Sequence, residues 1–367
     1  MAPSLLERQA LRVRNGLATV AGLKRPDIEP SPRDLVWRRE SARLWRYRSN
    51  DRRHSVPILL VHSLVSKSYV LDLLPGNSMV AYLVEEGFDV YLLDWDAARP
   101  ADAGNTLETY SDHLIPLAIK AACAESGADE LTLLGYCYGG LLVLLTAATR
   151  PDLPIRNLVT LTTPCDFREM GFMSRMFLDG RLDPEDAVDE NGLVPAAIMD
   201  LGFQSIKPTD RIVQPVNLWE QLWHSGRTEN FLAINGWSRD QLPFPGAIFR
   251  QTVEVLIRDN ALLTGEVPYN GRIARLRDIK MPYLNVYCEK DTIVASEAAE
   301  PLLDLVGSRD KSELHLKSGH VGLIVGRYAK EVARPAIADW TRRHSANRKT
   351  STAKENGDRH SAGAAAR

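Results

Sequence analysis

The chain has 367 residues, 44% of them hydrophobic and 25% charged, with a formal net charge of −2. That is the composition of an ordinary folded protein with one large core or two modest ones, and the near-neutral charge removes the electrostatic case for a nucleic-acid partner. Four scattered cysteines, Cys123, Cys137, Cys165 and Cys288, form neither a disulfide framework nor a metal-ligand spacing.

The N-terminal stretch lacks the long apolar core of a secretory signal. Leu5, Leu6, Leu11, Val13, Leu17 and Val20 recur at near-helical spacing. Residues 1–30 are therefore expected to form an amphipathic helix that packs on the domain or on a partner, a membrane-surface role being the weaker alternative. Residues 31–166 and 272–345 read as one layered domain. Val56-Pro57-Ile58-Leu59-Leu60-Val61-His62 is a near-continuous apolar run, as buried parallel strands are. A helix is expected over 79–86, a strand over 88–95, a helix over 109–126, and strands over 130–134 and 157–162. Strands alternating with helices imply a parallel, doubly wound sheet.

From 167 to 271 that rhythm is lost, and residues such as Met170, Phe172, Trp219, Trp237 and Phe244 accumulate. The composition alone would suit a second core. Its place in the chain suits an inserted helical cap that shields a site from water. The strand pattern returns at 282–288 and again near Leu314. Residues 346–367 are polar and are expected to be a disordered tail.

The most informative segment is Gly135-Tyr136-Cys137-Tyr138-Gly139-Gly140, between the apolar runs 131–134 and 141–145. Strand, glycine-flanked turn and helix is the context of a nucleophile elbow, and points to the α/β-hydrolase fold. The serine position holds cysteine. Thiolate is both a good nucleophile and a good leaving group, which favours passing an acyl group through a thioester over simple hydrolysis. The uncharged stretch 131–149 is long enough for a membrane helix, but three glycines in its first half speak against that reading. In this fold the acid and the base follow the nucleophile in chain order. Asp291 falls just past the strand 282–288, and His320 lies in a glycine-flanked loop after the next one. Cys137, Asp291 and His320 are thus the candidate catalytic residues, with His315, inside its strand, a weaker base. Neither a phosphate-binding loop nor a paired metal motif occurs, so no cofactor or metal is expected.

These residues resemble the polyhydroxyalkanoate synthases, which are similar to α/β-hydrolases with a cysteine in a G-x-C-x-G-G box. The resemblance extends from about residue 40 to 342. It takes in 67–73, the strand ending in Trp95, Thr163-Pro164-Cys165-Asp166-Phe167, Trp237-Ser238-Arg239-Asp240, and Ser318-Gly319-His320-Val321-Gly322. The length matches the family's short forms. His62, Asp96 and Thr292 depart from the family's usual residues without touching the three candidates. The resemblance implies a cytoplasmic acyltransferase, at or away from a polymer granule surface, that polymerises 3-hydroxyacyl-CoA and releases CoA. It implies a homodimer, with or without a second, non-catalytic synthase subunit. Asp291 would orient His320 or activate the incoming hydroxyl. The oxyanion donors would be the backbone N–H groups of Tyr138, after the nucleophile, and of Val65, chosen by similarity to the family. A thioesterase or polyester hydrolase of the same fold, and a non-catalytic granule-associated scaffold, are the alternatives.

Overall fold

The computed structural model describes residues 4–20, 26–206 and 218–345; the tail expected over 346–367 lies outside them. Its centre is an eight-stranded sheet. In chain order the strands are β1 (Asp34–Arg39), β2 (Ala42–Tyr47), β3 (Ile58–Val61), β4 (Val90–Trp95), β5 (Leu131–Tyr136), β6 (Ile155–Leu161), β7 (Tyr283–Cys288) and β8 (Lys311–Leu316). Their spatial order is β1-β2-β4-β3-β5-β6-β7-β8. From β4 to β8 every pairing is parallel, whereas β2 runs antiparallel to both β1 and β4.

Successive side chains of a strand face opposite layers, so a strand covered on both faces needs apolar residues at every position. In β3, Leu59 and Val61 join the core under one layer of helices, and Ile58 and Leu60 join the core on the other face. Tyr91, Leu93 and Trp95 of β4 alternate with Val90 and Leu92 in the same way. The helices that supply this cover include α2 (Met79–Glu85), α3 (Ile115–Ser126), α4 (Tyr138–Thr149) and α9 (Arg334–Ser345). Helix α3 is preceded by wide π-type turns over Thr109–Leu114, so the expected 109–126 helix is continuous but not uniform.

The β1–β2 hairpin was not anticipated. Its strands sit at the sheet edge, where charge replaces the apolar signature: Arg43 pairs with Asp94 at 2.9 Å and Arg46 with Asp89 at 2.7 Å. The N-terminal helix α1 covers Leu5–Val20, shorter than the 1–30 expected from the spacing, and residues 26–30 are not helical. The Asn15 side chain donates to the Leu222 carbonyl, and the Arg8 guanidinium lies 4.8 Å from the Trp223 ring, while Leu5, Leu6, Val13 and Leu17 stay exposed.

Between β6 and β7 none of the described residues joins the main sheet. This stretch carries α5 (Gly171–Leu178), α6 (Ala196–Ile206), α7 (Ser225–Arg239) and α8 (Gly246–Gln251), then π-type turns over Thr252–Arg258. A hairpin of Glu266–Tyr269 with Arg272–Arg275 follows, and it straddles the 271/272 edge set from the sequence.

Candidate active site

The parallel strands bring their carboxyl ends to one edge, where three loops meet. The first is the turn between β5 and α4. Cys137 sits there with φ 55° and ψ −122°, a conformation that costs a non-glycine residue about 1–3 kcal/mol. The turn is held in place by the Cys137 N–H, which donates to the Leu161 carbonyl at 2.9 Å. Its glycines are steric necessities. A Cβ on Gly135 would lie 2.5 Å from the Gly140 Cα, and one on Gly139 would press on the Val61 and His62 carbonyls. The sharp bend needs both neighbours bare.

The second loop follows β7. Asp291 is buried, and its Oδ1 accepts the N–H groups of Ile293 at 2.8 Å and Val294 at 2.9 Å. Its Oδ2 lies 2.8 Å from Nδ1 of His320, which comes from the third loop, after β8. With Nδ1 engaged by the carboxylate, Nε2 is the ring nitrogen left for the thiol of Cys137, which lies close enough to act on this imidazole electrostatically. Burial opposes charge on this imidazole, but the Asp291 carboxylate, then Cys137, outweigh it and hold the group up to about 10. A histidine with that affinity for a proton is suited to take one from a neighbouring thiol. The Tyr136 hydroxyl donates to the His320 carbonyl at 3.2 Å and steadies the loop.

All three residues singled out from the sequence therefore meet. His315 does not join them; it is exposed, stacked on Tyr287 and 3.2 Å from the Ser296 hydroxyl. The other thiols lie in unreactive surroundings. Burial pushes Cys123 up to about 11, Cys288 up to about 12, and Cys165 higher still.

Tyr138 is the first residue of α4, where a backbone N–H has no intrahelical acceptor. Val65 lies in the loop after β3. Its N–H is 3.5 Å from the Ser63 hydroxyl, a contact long enough to be exchanged for a better acceptor, and its carbonyl accepts the Leu242 N–H at 3.1 Å. His62, an oddity of the sequence, is fully buried at the base of this loop, 3.1 Å from the Ser66 hydroxyl through Nε2. Burial, with His320 second, pushes it down to about 3, so it is neutral. Its ring, that of Tyr136 and that of His320 stand in a row, at 5.6 and 5.2 Å.

The structure also explains motif residues that had no assigned task. Trp95 donates its indole N–H to the His62 carbonyl at 3.0 Å. The Asp166 carboxylate accepts from the side-chain amide of Asn260 at 2.8 Å, and Asn260 Oδ1 accepts the Phe167 N–H at 3.0 Å. Among the described residues no group of three or more His, Cys, Asp or Glu side chains is arranged to hold a metal, and no helix is long and apolar enough to cross a membrane.

Comparison with known proteins agrees with this fold. The α/β hydrolase fold family matches residues 56–326, and the N-terminal region of poly-beta-hydroxybutyrate polymerase (PhaC) matches residues 26–83. The monoacylglycerol lipase of Paleococcus ferrophilus shares the fold, with a TM-score of 0.50 at 18% identity, over 83% of this chain and 100% of that one. The poly(3-hydroxyalkanoate) polymerase subunit PhaC of Haloferax mediterranei is 32% identical over 85% of this chain, which spans 64% of that protein. The corresponding subunit of Allochromatium vinosum is 31% identical over 90% of this chain and 93% of its own length, and that of Synechocystis sp. is 31% identical over 89% of each. On these matches the chain belongs to the poly(3-hydroxyalkanoate) polymerase family, built on the α/β-hydrolase fold.

Proposed function

We propose that the protein is an acyltransferase that polymerises 3-hydroxyacyl-CoA into polyhydroxyalkanoate through a thioester on Cys137. The observation that carries this reading is the cysteine in the strained elbow, close to an imidazole that a buried carboxylate bonds at 2.8 Å and holds basic. The Cys137 sulfur attacks the thioester carbonyl of the substrate. A new S–C bond forms, the bond to the CoA sulfur breaks, and the thiol proton passes through His320 to the departing CoA thiolate. The 3-hydroxyl of the next acyl unit then attacks the Cys137 thioester. Its proton goes to His320, an ester forms, and the sulfur leaves for the next round. Asp291 orients His320 in both steps; direct activation of the hydroxyl by Asp291 is the alternative role, although its two oxygens are already engaged by His320 and by the Ile293 and Val294 amides.

The N–H groups of Tyr138 and Val65 are the donors assigned to the oxyanion, which two such groups stabilise in the tetrahedral intermediates. Residues 167–271 act as a cap that keeps water from the thioester. The reaction needs no cofactor beyond the CoA thioester itself. The setting we infer is the cytoplasm, at the polymer granule surface, with a homodimer as the working assembly and a second, non-catalytic subunit as a candidate partner.

The test is purified protein with 3-hydroxybutyryl-CoA, following CoA and polymer together. CoA release with insoluble polyester supports the proposal. CoA release yielding only free acid would replace it with a thioesterase, and no release, with or without a partner subunit, would favour a scaffold.

A further inference from the structure

Both backbone donors assigned to the oxyanion are tied to the inserted segment. On one side, the Tyr138 hydroxyl is 2.7 Å from the Thr252 hydroxyl. Thr252 gives its own proton to the Ile248 carbonyl at 2.7 Å, so Tyr138 must be the donor of this pair. The edge of Phe244, also from the insertion, meets the Tyr138 ring with centroids 5.7 Å apart. On the other side, the loop bearing Val65 is gripped by residues 237–242. The Leu242 N–H donates to the Val65 carbonyl at 3.1 Å, Ser66 pairs with Gln241 as an antiparallel bridge, and the Trp237 indole N–H donates to the Lys67 carbonyl at 2.7 Å. From the core side, His62 holds the same loop through Ser66.

We propose that the cap positions both oxyanion donors, with Trp237 and Thr252 as the positioning residues, so that the oxyanion site is complete only while residues 237–252 are seated on the core. A cap lifted to admit substrate or release polymer would then loosen both donors together, and the thioester would be least reactive when water can reach it. This deepens the acyl-transfer reading of Cys137 and rests on it.

The experiment separates the two. Acylation of Cys137 by a 4-nitrophenyl acyl ester passes through an oxyanion, whereas alkylation of the same sulfur by iodoacetamide does not. Trp237→Phe and Thr252→Val should each slow acylation about tenfold, less than outright loss of a donor, and leave the alkylation rate unchanged. Tyr138→Phe removes the Thr252 bond from its other end, so the Tyr138→Phe/Thr252→Val double variant should acylate no more slowly than either single one. Unchanged acylation in all the variants, or alkylation falling in parallel with it, would overturn the proposal. If the unsubstituted protein alkylates at Cys137 but is never acylated there, the acyl-transfer reading itself fails and takes this inference with it.

Discussion

The two halves of the candidate site are held in different ways. The sulfur, the imidazole and the carboxylate stand on core loops that immediately follow β5, β8 and β7, and are fixed largely by nearby backbone: the Cys137 N–H on Leu161, the Asp291 oxygen on the two amides after it, and Tyr136 under His320. The oxyanion half has core support too, from the elbow before Tyr138 and from His62 through Ser66, but it is also tied to the insertion. Tyr138 and Val65 are anchored by Thr252, Leu242 and Trp237, more than a hundred residues away in the chain. In the proposed mechanism, proton transfer thus depends on the core, and stabilisation of developing charge on the core and the insertion together.

Substitutions should separate these halves. The largest effect belongs to the core: Cys137→Ala should reduce CoA release by about 10⁴-fold or more. Cys123→Ala, Cys165→Ala and Cys288→Ala should leave it unchanged; comparable losses in one of these would move the nucleophile elsewhere. Asp291→Asn should follow with about 10²- to 10⁴-fold, because the imidazole loses both its orientation and the charge that keeps it basic. The same variant should slow alkylation of Cys137, which the cap variants leave intact. If Asp291→Asn instead spared alkylation, the contrast between the halves would disappear.

How much of this was legible in the sequence follows the same division. The elbow could be read because its requirements are local: two bare glycines, a strand before and a helix after. Asp291 and His320 could be read because the fold puts them at strand ends in a known order. The parallel strands announced themselves through unbroken apolar runs, since both faces are buried. The β1–β2 hairpin gave no such signal, because Arg43 and Arg46 satisfy carboxylates at the sheet edge in place of a second apolar face. Thr252 did not stand out, and Trp237 did so only as part of the Trp237-Ser238-Arg239-Asp240 motif, with no task attached to it. A threonine in a helical turn and a tryptophan in an aromatic-rich segment look like packing until the fold sets them against Tyr138 and Lys67. His62 could be noticed as unusual, but its neutral, fully buried state depends on the fold stacking Tyr136 on its ring and setting Ser66 and His320 beside it.

The smallest expected effect is on stability. His320 is held up to about 10 against an ordinary value of 6.5. A group raised in the folded state contributes stability that is complete below its unfolded value and is lost as pH rises through the folded one. The melting temperature should therefore carry a decline between about pH 6.5 and 10 that is absent in His320→Gln. An identical decline in both would show that other groups govern it.

The central claim is that the acyl group rests on Cys137 and is removed by a hydroxyl. Its most direct measurement is mass spectrometry of the Cys137 peptide after rapid mixing with 3-hydroxybutyryl-CoA and acid quenching. Acyl transfer through Cys137 requires 3-hydroxybutyryl units on Cys137 that lengthen with time while free acid stays negligible. An unmodified Cys137 during turnover, or a single acyl unit that discharges only to free 3-hydroxybutyrate, would contradict it.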